Sequence, residues 1–143
     1  MLFDFLGKIA GFAKENFEPW EDLDIEDLEQ WFLQSYIEGT LLPILVGDEV
    51  VAVYEYWQVT EEYIQKAKDA EGSDLPIPTK EEREGTILFF PVGIVGKDYL
   101  GKGFGLTKIG VKHIHKRFPD KPGFYRWMLK GNRIRFIRFK EDE

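Results

Sequence analysis

The sequence predicts an α+β domain, a mixed, mainly antiparallel sheet flanked by helices, and three observations predict it. Residues 40–60 and 123–139 alternate around turn residues like two hairpins. Apolar residues at helical spacing open the chain and return near residue 110. Between the hairpins, TILFFPVGIV is a nearly continuous apolar strand that runs into a helical pattern, so a helix separates it from the last two strands. With 143 residues, 43% hydrophobic and 15% aromatic, residues 1–143 read as one domain large enough to bury a core.

Taken in order, Leu2, Phe5, Leu6, Ile9 and Phe12 predict a first helix that docks on the core or, alternatively, on a partner or membrane surface. Asp4 and Lys8 come early, without a basic leader or a small-residue cleavage site. The start therefore reads as neither signal peptide nor membrane span, and a cytoplasmic location is expected. Asp24 is the expected N-cap of a second helix that carries Ile25, Leu28, Trp31, Phe32 and Tyr36 on one face and stops at Gly39. Residues 1–39 thus form a helical N-terminal part. TLLPILVGDEVVAVYEYWQVT reads as two strands turning at Gly47-Asp48-Glu49, with Val51, Val53, Glu55 and Trp57 on one side of the second and Ala52, Tyr54 and Tyr56 on the other. Thr60 caps a short helix, EEYIQKAKDA, and the polar, proline-bearing 71–84 stretch reads as a mobile loop. In TILFFPVGIV, Pro91 has no N–H for a ladder, and with Gly93 behind it a bulge or a splayed strand is expected. FGLTKIGVKHIHKRF is helical through Leu106, Ile109, Val111 and Ile114, and GFYRWMLKGNRIRFIRF closes the chain as a hairpin turning at Lys130-Gly131-Asn132.

Charge is unevenly spread. Residues 1–96 hold 6 Lys and Arg against 21 Asp and Glu, a net of −15, whereas residues 97–139 hold 12 against 2, a net of +10. An anionic ligand on the C-terminal half, or simply a solvated basic face, accounts for that asymmetry.

Several chemistries are excluded or disfavoured. The absence of cysteine removes disulfides, thiolate nucleophiles and thiolate metal sites. His113 and His115, the only histidines, fall roughly 200° apart on a helix and do not share a metal, so no metal is expected. Ser35 and Ser73 are the only serines, and neither sits in a nucleophile elbow. The run Gly96-Lys97-Asp98-Tyr99-Leu100-Gly101-Lys102-Gly103 approaches the phosphate-binding pattern G-x-x-x-x-G-K-S/T. Gly103, however, takes the place of the hydroxyl residue that would ligate magnesium.

A strand, then Tyr99-Leu100-Gly101-Lys102-Gly103-Phe104-Gly105, then an amphipathic helix resembles the acyl-CoA-binding signature R/Q-x-x-G-x-G/A of the GNAT acyltransferase superfamily. Glycines let main-chain N–H groups converge on a diphosphate, and the helix that starts there adds its positive end. The resemblance implies acyl-CoA as cofactor, its diphosphate on Gly101, Lys102, Gly103, Phe104 and Gly105. It also implies a pantetheine arm along the strand backbone at Val92 and Ile94. GDEVVAVYEYWQVTEEY and KRFPDKPGFYRWMLKGNRIRFIRF further resemble the RTX toxin-activating lysine acyltransferases, a GNAT-like branch, which implies N-acylation of a lysine or another amine.

The chain departs from those patterns. Leu100 lies near the place of Arg or Gln, the first 96 residues hold no histidine, and Thr86 to Val95 hold no titratable side chain. The branch's catalytic histidine and aspartate therefore have no counterparts, and the sequence stops after the closing hairpin, short of the last strands of a full GNAT fold. Glu55 is left as a general base if it faces the cleft among Tyr54, Tyr56 and Trp57, and Tyr99 as a proton donor to the leaving thiolate. The acidic 18–29 and 71–84 stretches suit a basic protein or amine acceptor. A second reading is a catalytically inactive GNAT-like interaction protein of phage or mobile-element type. A third is a nucleic-acid-binding hairpin in which Arg126, Arg133, Arg135 and Arg138 interleave with Tyr125, Trp127, Phe136 and Phe139. Net acidity argues against that one.

Overall fold

The computed structural model describes residues 2–99, 109–128 and 131–139. Its elements are α1 (Leu2–Asn16), α2 (Ile25–Glu38), β1 (Leu41–Val46), β2 (Glu49–Val59), α3 (Glu61–Asp69), β3 (Ile87–Val95), α4 (Ile109–Arg117), β4 (Gly123–Met128) and β5 (Arg133–Arg138). The strands form one five-stranded mixed sheet in the order β1-β2-β3-β4-β5, the α+β class read from the sequence. β1/β2 and β4/β5 are antiparallel and β3/β4 parallel. A parallel neighbour needs a long crossover connection, and the segment that carries α4 supplies it. The chain divides into two compact units, residues 1–55 with 93–113 and residues 56–92 with 114–143.

In the first unit α1 buries Leu6, Ile9, Ala10 and Ala13 and packs along α2, where Phe5 meets Tyr36 at 6.0 Å. Of the two dockings expected for α1, the one on the core is the one found. α2 buries Leu28, Phe32 and Ser35, while Ile25 and Trp31 stand 43% and 53% exposed. The buried stripe is thus rotated towards a serine, because the serine has a buried partner on β2 and the indole does not need one: Trp31 lies edge-on to Trp20 at 6.0 Å instead. Asp24 occupies the N-cap without a side-chain bond, and Gly39 closes α2 at φ 74. β1 and β2 pair from Leu41↔Glu55 to Val46↔Glu49, with an irregularity between Ile44 and Leu45. Residues 50–55 of β2 are buried on both sides, as in an interior strand.

In the second unit, Tyr63, Ile64 and Ala67 of α3 pack with Val59, Phe89 and Trp127 into one cluster. Thr60 caps α3 by accepting the Tyr63 N–H at 3.3 Å. Phe89 lies against Trp57, nearly parallel at 5.9 Å, and edge-on to Tyr63 at 5.5 Å. The expected mobile loop is fastened at several points: the Tyr63 hydroxyl donates to the Pro76 carbonyl at 2.6 Å, Pro78 is buried, and Glu82 accepts the Thr79 N–H at 2.8 Å and pairs with Lys66 at 3.3 Å.

Two predictions follow from this packing. Gly85 has an extended backbone, φ −80, yet a Cβ there would run into the Val59 carbonyl and the Thr60 nitrogen. Gly85→Ala should cost about 1–3 kcal/mol, whereas Gly11→Ala, where a Cβ meets nothing within 4 Å, should stabilise by about 0.5–1 kcal/mol; urea unfolding measures both. Burial first, and then the Glu82 carboxylate, push the Tyr63 phenol above its ordinary value of 10.0, with Arg83 opposing. The unfolded chain ionises near pH 10 while the folded chain keeps the proton. Tyr63's contribution is therefore intact below that pH and lost above it, and Tyr63→Phe should flatten the alkaline fall in unfolding free energy.

Candidate functional site

Two strands that part are the first component. Among the described residues the parallel ladder of β3 and β4 comprises Phe89↔Tyr125 and Phe90↔Arg126. Beyond it Pro91 and Val92 of β3 are not paired with Trp127 and Met128 of β4, which pair with Ile134 and Arg133 of β5 instead. This is the irregularity expected around Pro91. Val92 is half-buried there, as is Arg126 across from Phe90. Ile94, in the first unit, is 3% exposed, so its side chain belongs to the core and only its main chain is left to meet a ligand. Gly101, Lys102, Gly103, Phe104 and Gly105 lie outside the described residues.

The corner after β3 is tightly held within the first unit. The Gly96 N–H donates to the Val51 carbonyl at 2.8 Å, and the Lys97 N–H to Asn16 Oδ1, also at 2.8 Å. Asn16 in turn donates to the Phe12 carbonyl at 2.9 Å, tying the end of α1 to the turn. A Cβ on Gly96 would stand 3.2 Å from the Phe12 ring and 3.3 Å from the Val51 carbonyl, so close approach favours glycine here. A cleft of about 470 Å³ opens at this corner, lined among others by Lys8, Asn16, Glu49, Lys97 and Tyr99. The Tyr99 hydroxyl donates to Glu49 Oε2 at 3.2 Å. Desolvation, then the charge and hydrogen bond of Glu49, raise its pKa, so the phenol stays protonated at neutral pH but has a partner for its proton already.

Glu55 is 3% exposed, not solvent-facing. Its Oε2 accepts the Ser35 hydroxyl at 2.6 Å beneath α2. A buried carboxylate is costly unless hydrogen-bonded, and α2 supplies that bond. Glu49 and Glu55 are six residues apart on one strand, about 20 Å at 3.3 Å per residue. Tyr99, bonded to Glu49, and Glu55 are therefore not brought to one reaction centre. From the sequence Ser35, Asn16 and Glu49 carry no role in a site. Only Ser35 left a signal, as a polar residue seven positions after Leu28 on the apolar stripe. Among the described residues no group of three or more His, Asp or Glu is placed to hold a metal, and no helix is long and apolar enough to cross a membrane.

No protein-family model matches the chain, and no curated protein matches it significantly. Solved structures do. The loading GNATL domain of CurA from Lyngbya majuscula superposes with a TM-score of 0.61 over 88% of this chain and 61% of that one, at 10% identity. The GphF GNAT-like decarboxylase in complex with isobutyryl-CoA superposes with a TM-score of 0.55 over 85% of this chain and 58% of that one, also at 10% identity. The chain thus spans about three fifths of the length of each structure it matches. At such identity the likeness is one of fold, and the fold of this chain is GNAT-like.

Proposed function

We propose that this protein binds an acyl-CoA and transfers its acyl group to a lysine or another amine. The observation that carries the reading is the parting of β3 from β4 after two residue pairs, which leaves strand backbone beside Val92 for a pantetheine arm to pair with. Three things support it: the isobutyryl-CoA held by the GphF decarboxylase, the glycine-rich sequence from Gly101 to Gly105, and the +10 charge of residues 97–139. The toxin-activating lysine acyltransferases remain the branch whose layout the sequence resembles, and acyl-CoA as donor fits a cytoplasmic setting.

In the transfer step the amine nitrogen bonds to the thioester carbonyl carbon, the C–S bond breaks, and the amine proton passes to a base while coenzyme A leaves as thiolate. We assign the base to Glu55, the buried acid of the described residues. Tyr99 we assign to positioning the corner after β3 rather than to protonating the thiolate, because its hydroxyl is bonded to Glu49, about 20 Å along β2 from Glu55. A second reading, a GNAT-like binding protein without chemistry, is favoured by the clasp of Ser35 on Glu55 under α2.

Titration with isobutyryl-CoA should raise the melting temperature, corresponding to about 2.7 kcal/mol at a hundredfold excess over Kd, and Gly103→Glu should abolish the rise. No shift at millimolar ligand defeats the acyl-CoA reading. Given binding, a panel of lysine peptides and polyamines separates the two readings. On the first, Glu55→Gln lowers transfer about 10²–10⁴-fold at unchanged acyl-CoA affinity. On the second, the wild type transfers nothing, and Ser35→Ala costs about 1–3 kcal/mol of stability by removing one hydrogen bond to a buried carboxylate.

A further inference from the structure

β5 closes the strand order, so one of its edges faces away from β4. The hydrogen bonds show which groups point there. The Ile134 N–H donates to Glu71 Oε1 at 3.4 Å, and the Asn132 carbonyl accepts the Gly72 N–H at 3.0 Å, whereas the Phe139 N–H turns inward to the Pro122 carbonyl at 3.0 Å. Alternation along an antiparallel strand then points the main-chain groups of Ile134, Phe136 and Arg138 outward. Residues 71–72 cover the beginning of this edge. Among the described residues nothing pairs with the outward N–H groups of Phe136 and Arg138.

Arg133, Arg135 and Arg138 are exposed along this strand, Phe136 is 38% exposed, and β5 itself carries no acid. A groove of about 720 Å³ at its start is lined by Glu71, Met128, Gly131, Arg133, Ile134 and Arg135. We propose that β5 is a docking edge for an extended acidic segment of a partner protein, which adds to the sheet as a further strand. The outward amides and carbonyls supply the pairing. Arg133 and Arg135, on one face, match carboxylates on alternate residues of the incoming strand, and Arg138, on the other face, can meet an acid at an intervening position. Glu71 already shows the chemistry within the chain, its carboxylate accepting from an edge N–H. A second copy of the chain is a poor occupant, because β5 beside β5 sets arginine against arginine. Nucleic acid is a poor one too. Trp127 and Phe139 are buried, and Tyr125 is engaged by the Phe136 ring at 4.8 Å and by Lys68 at 5.7 Å, which leaves few aromatic faces for bases.

Fluorescence anisotropy tests this with the full chain and a labelled heptapeptide of alternating glutamate and valine at low salt. The expected result is saturable binding that weakens about tenfold or more in Arg135→Glu, a variant at an exposed position whose fold a melting curve checks. Methylating the peptide nitrogens on its pairing edge should abolish binding at unchanged charge. Equal binding of the methylated peptide overturns strand addition, as does absence of binding. Tighter binding of oligothymidylate, in competition with the peptide, makes the edge a nucleic-acid site instead. Dimerisation in light scattering that Arg135→Glu removes makes it a contact between copies.

Discussion

β3 is held by rings on both faces of the sheet, from β2, α3 and β4, and the shortness of its parallel ladder with β4 shapes everything near it. Phe89 is gripped by Trp57 and Tyr63 on one side; Phe90 meets Tyr56 at 5.6 Å and Phe124 at 4.9 Å on the other. Each ring pair contributes about 0.5–1.5 kcal/mol beyond the area it buries, comparable with or larger than the net of about 1 kcal/mol from a main-chain hydrogen bond. The clamp is therefore mainly one of side chains. It closes at Phe89 and Phe90 and stops there, because Pro91 brings no donor and Gly93 no side chain. The paired residues and the rings of β3 end together at Phe90.

The order of elements was legible because each depends on residues close in sequence. Thr60 caps the helix that starts one residue later, Gly39 ends the one before it, and alternation marks both hairpins. Partners that lie far apart were not legible. Ser35 and Glu55 are 20 residues apart, Tyr99 and Glu49 are 50, and Lys97 and Asn16 are 81. That is why the apolar stripe of α2 reads through Trp31 rather than Ser35, and why the sequence alone offers Glu55 no partner on α2. The 71–84 stretch shows the same limit. Its prolines and charges describe a loop, but Tyr63 and Lys66, which fasten it, stand on the preceding helix. Of the proposed acyl-CoA site, the glycine run is legible only in the sequence, whereas the short ladder beside Pro91 is a feature of the fold.

Charge distinguishes the two clefts. At the corner after β3, Glu15, Asp48, Glu49 and Asp98 outnumber Lys8 and Lys97. A diphosphate brought there meets net repulsion, so the cofactor reading gains nothing from that cleft, and its acids suit an amine better. The groove beside β5 sets two arginines against Glu71, whose carboxylate is already engaged by the Ile134 amide. It prefers an anion. The −15 and +10 halves of the sequence thus have local counterparts of the same sign.

Magnitudes decide how an acyl-CoA could be held at all. A micromolar ligand requires about 8 kcal/mol, and the positive end of one helix supplies at most about 2. The glycine turn therefore fails as a sole site, and the balance must come from several main-chain bonds of about 1 kcal/mol each. Strand backbone can provide such bonds only where its own ladder has ended. On the side towards the glycine run that place starts one residue beyond Phe90, ten residues before Gly101 in the sequence. A fold in which β3 and β4 paired along their full length would keep the glycines and lose those bonds, so the proposed acyl-CoA site leans on the short ladder more than on the glycine motif.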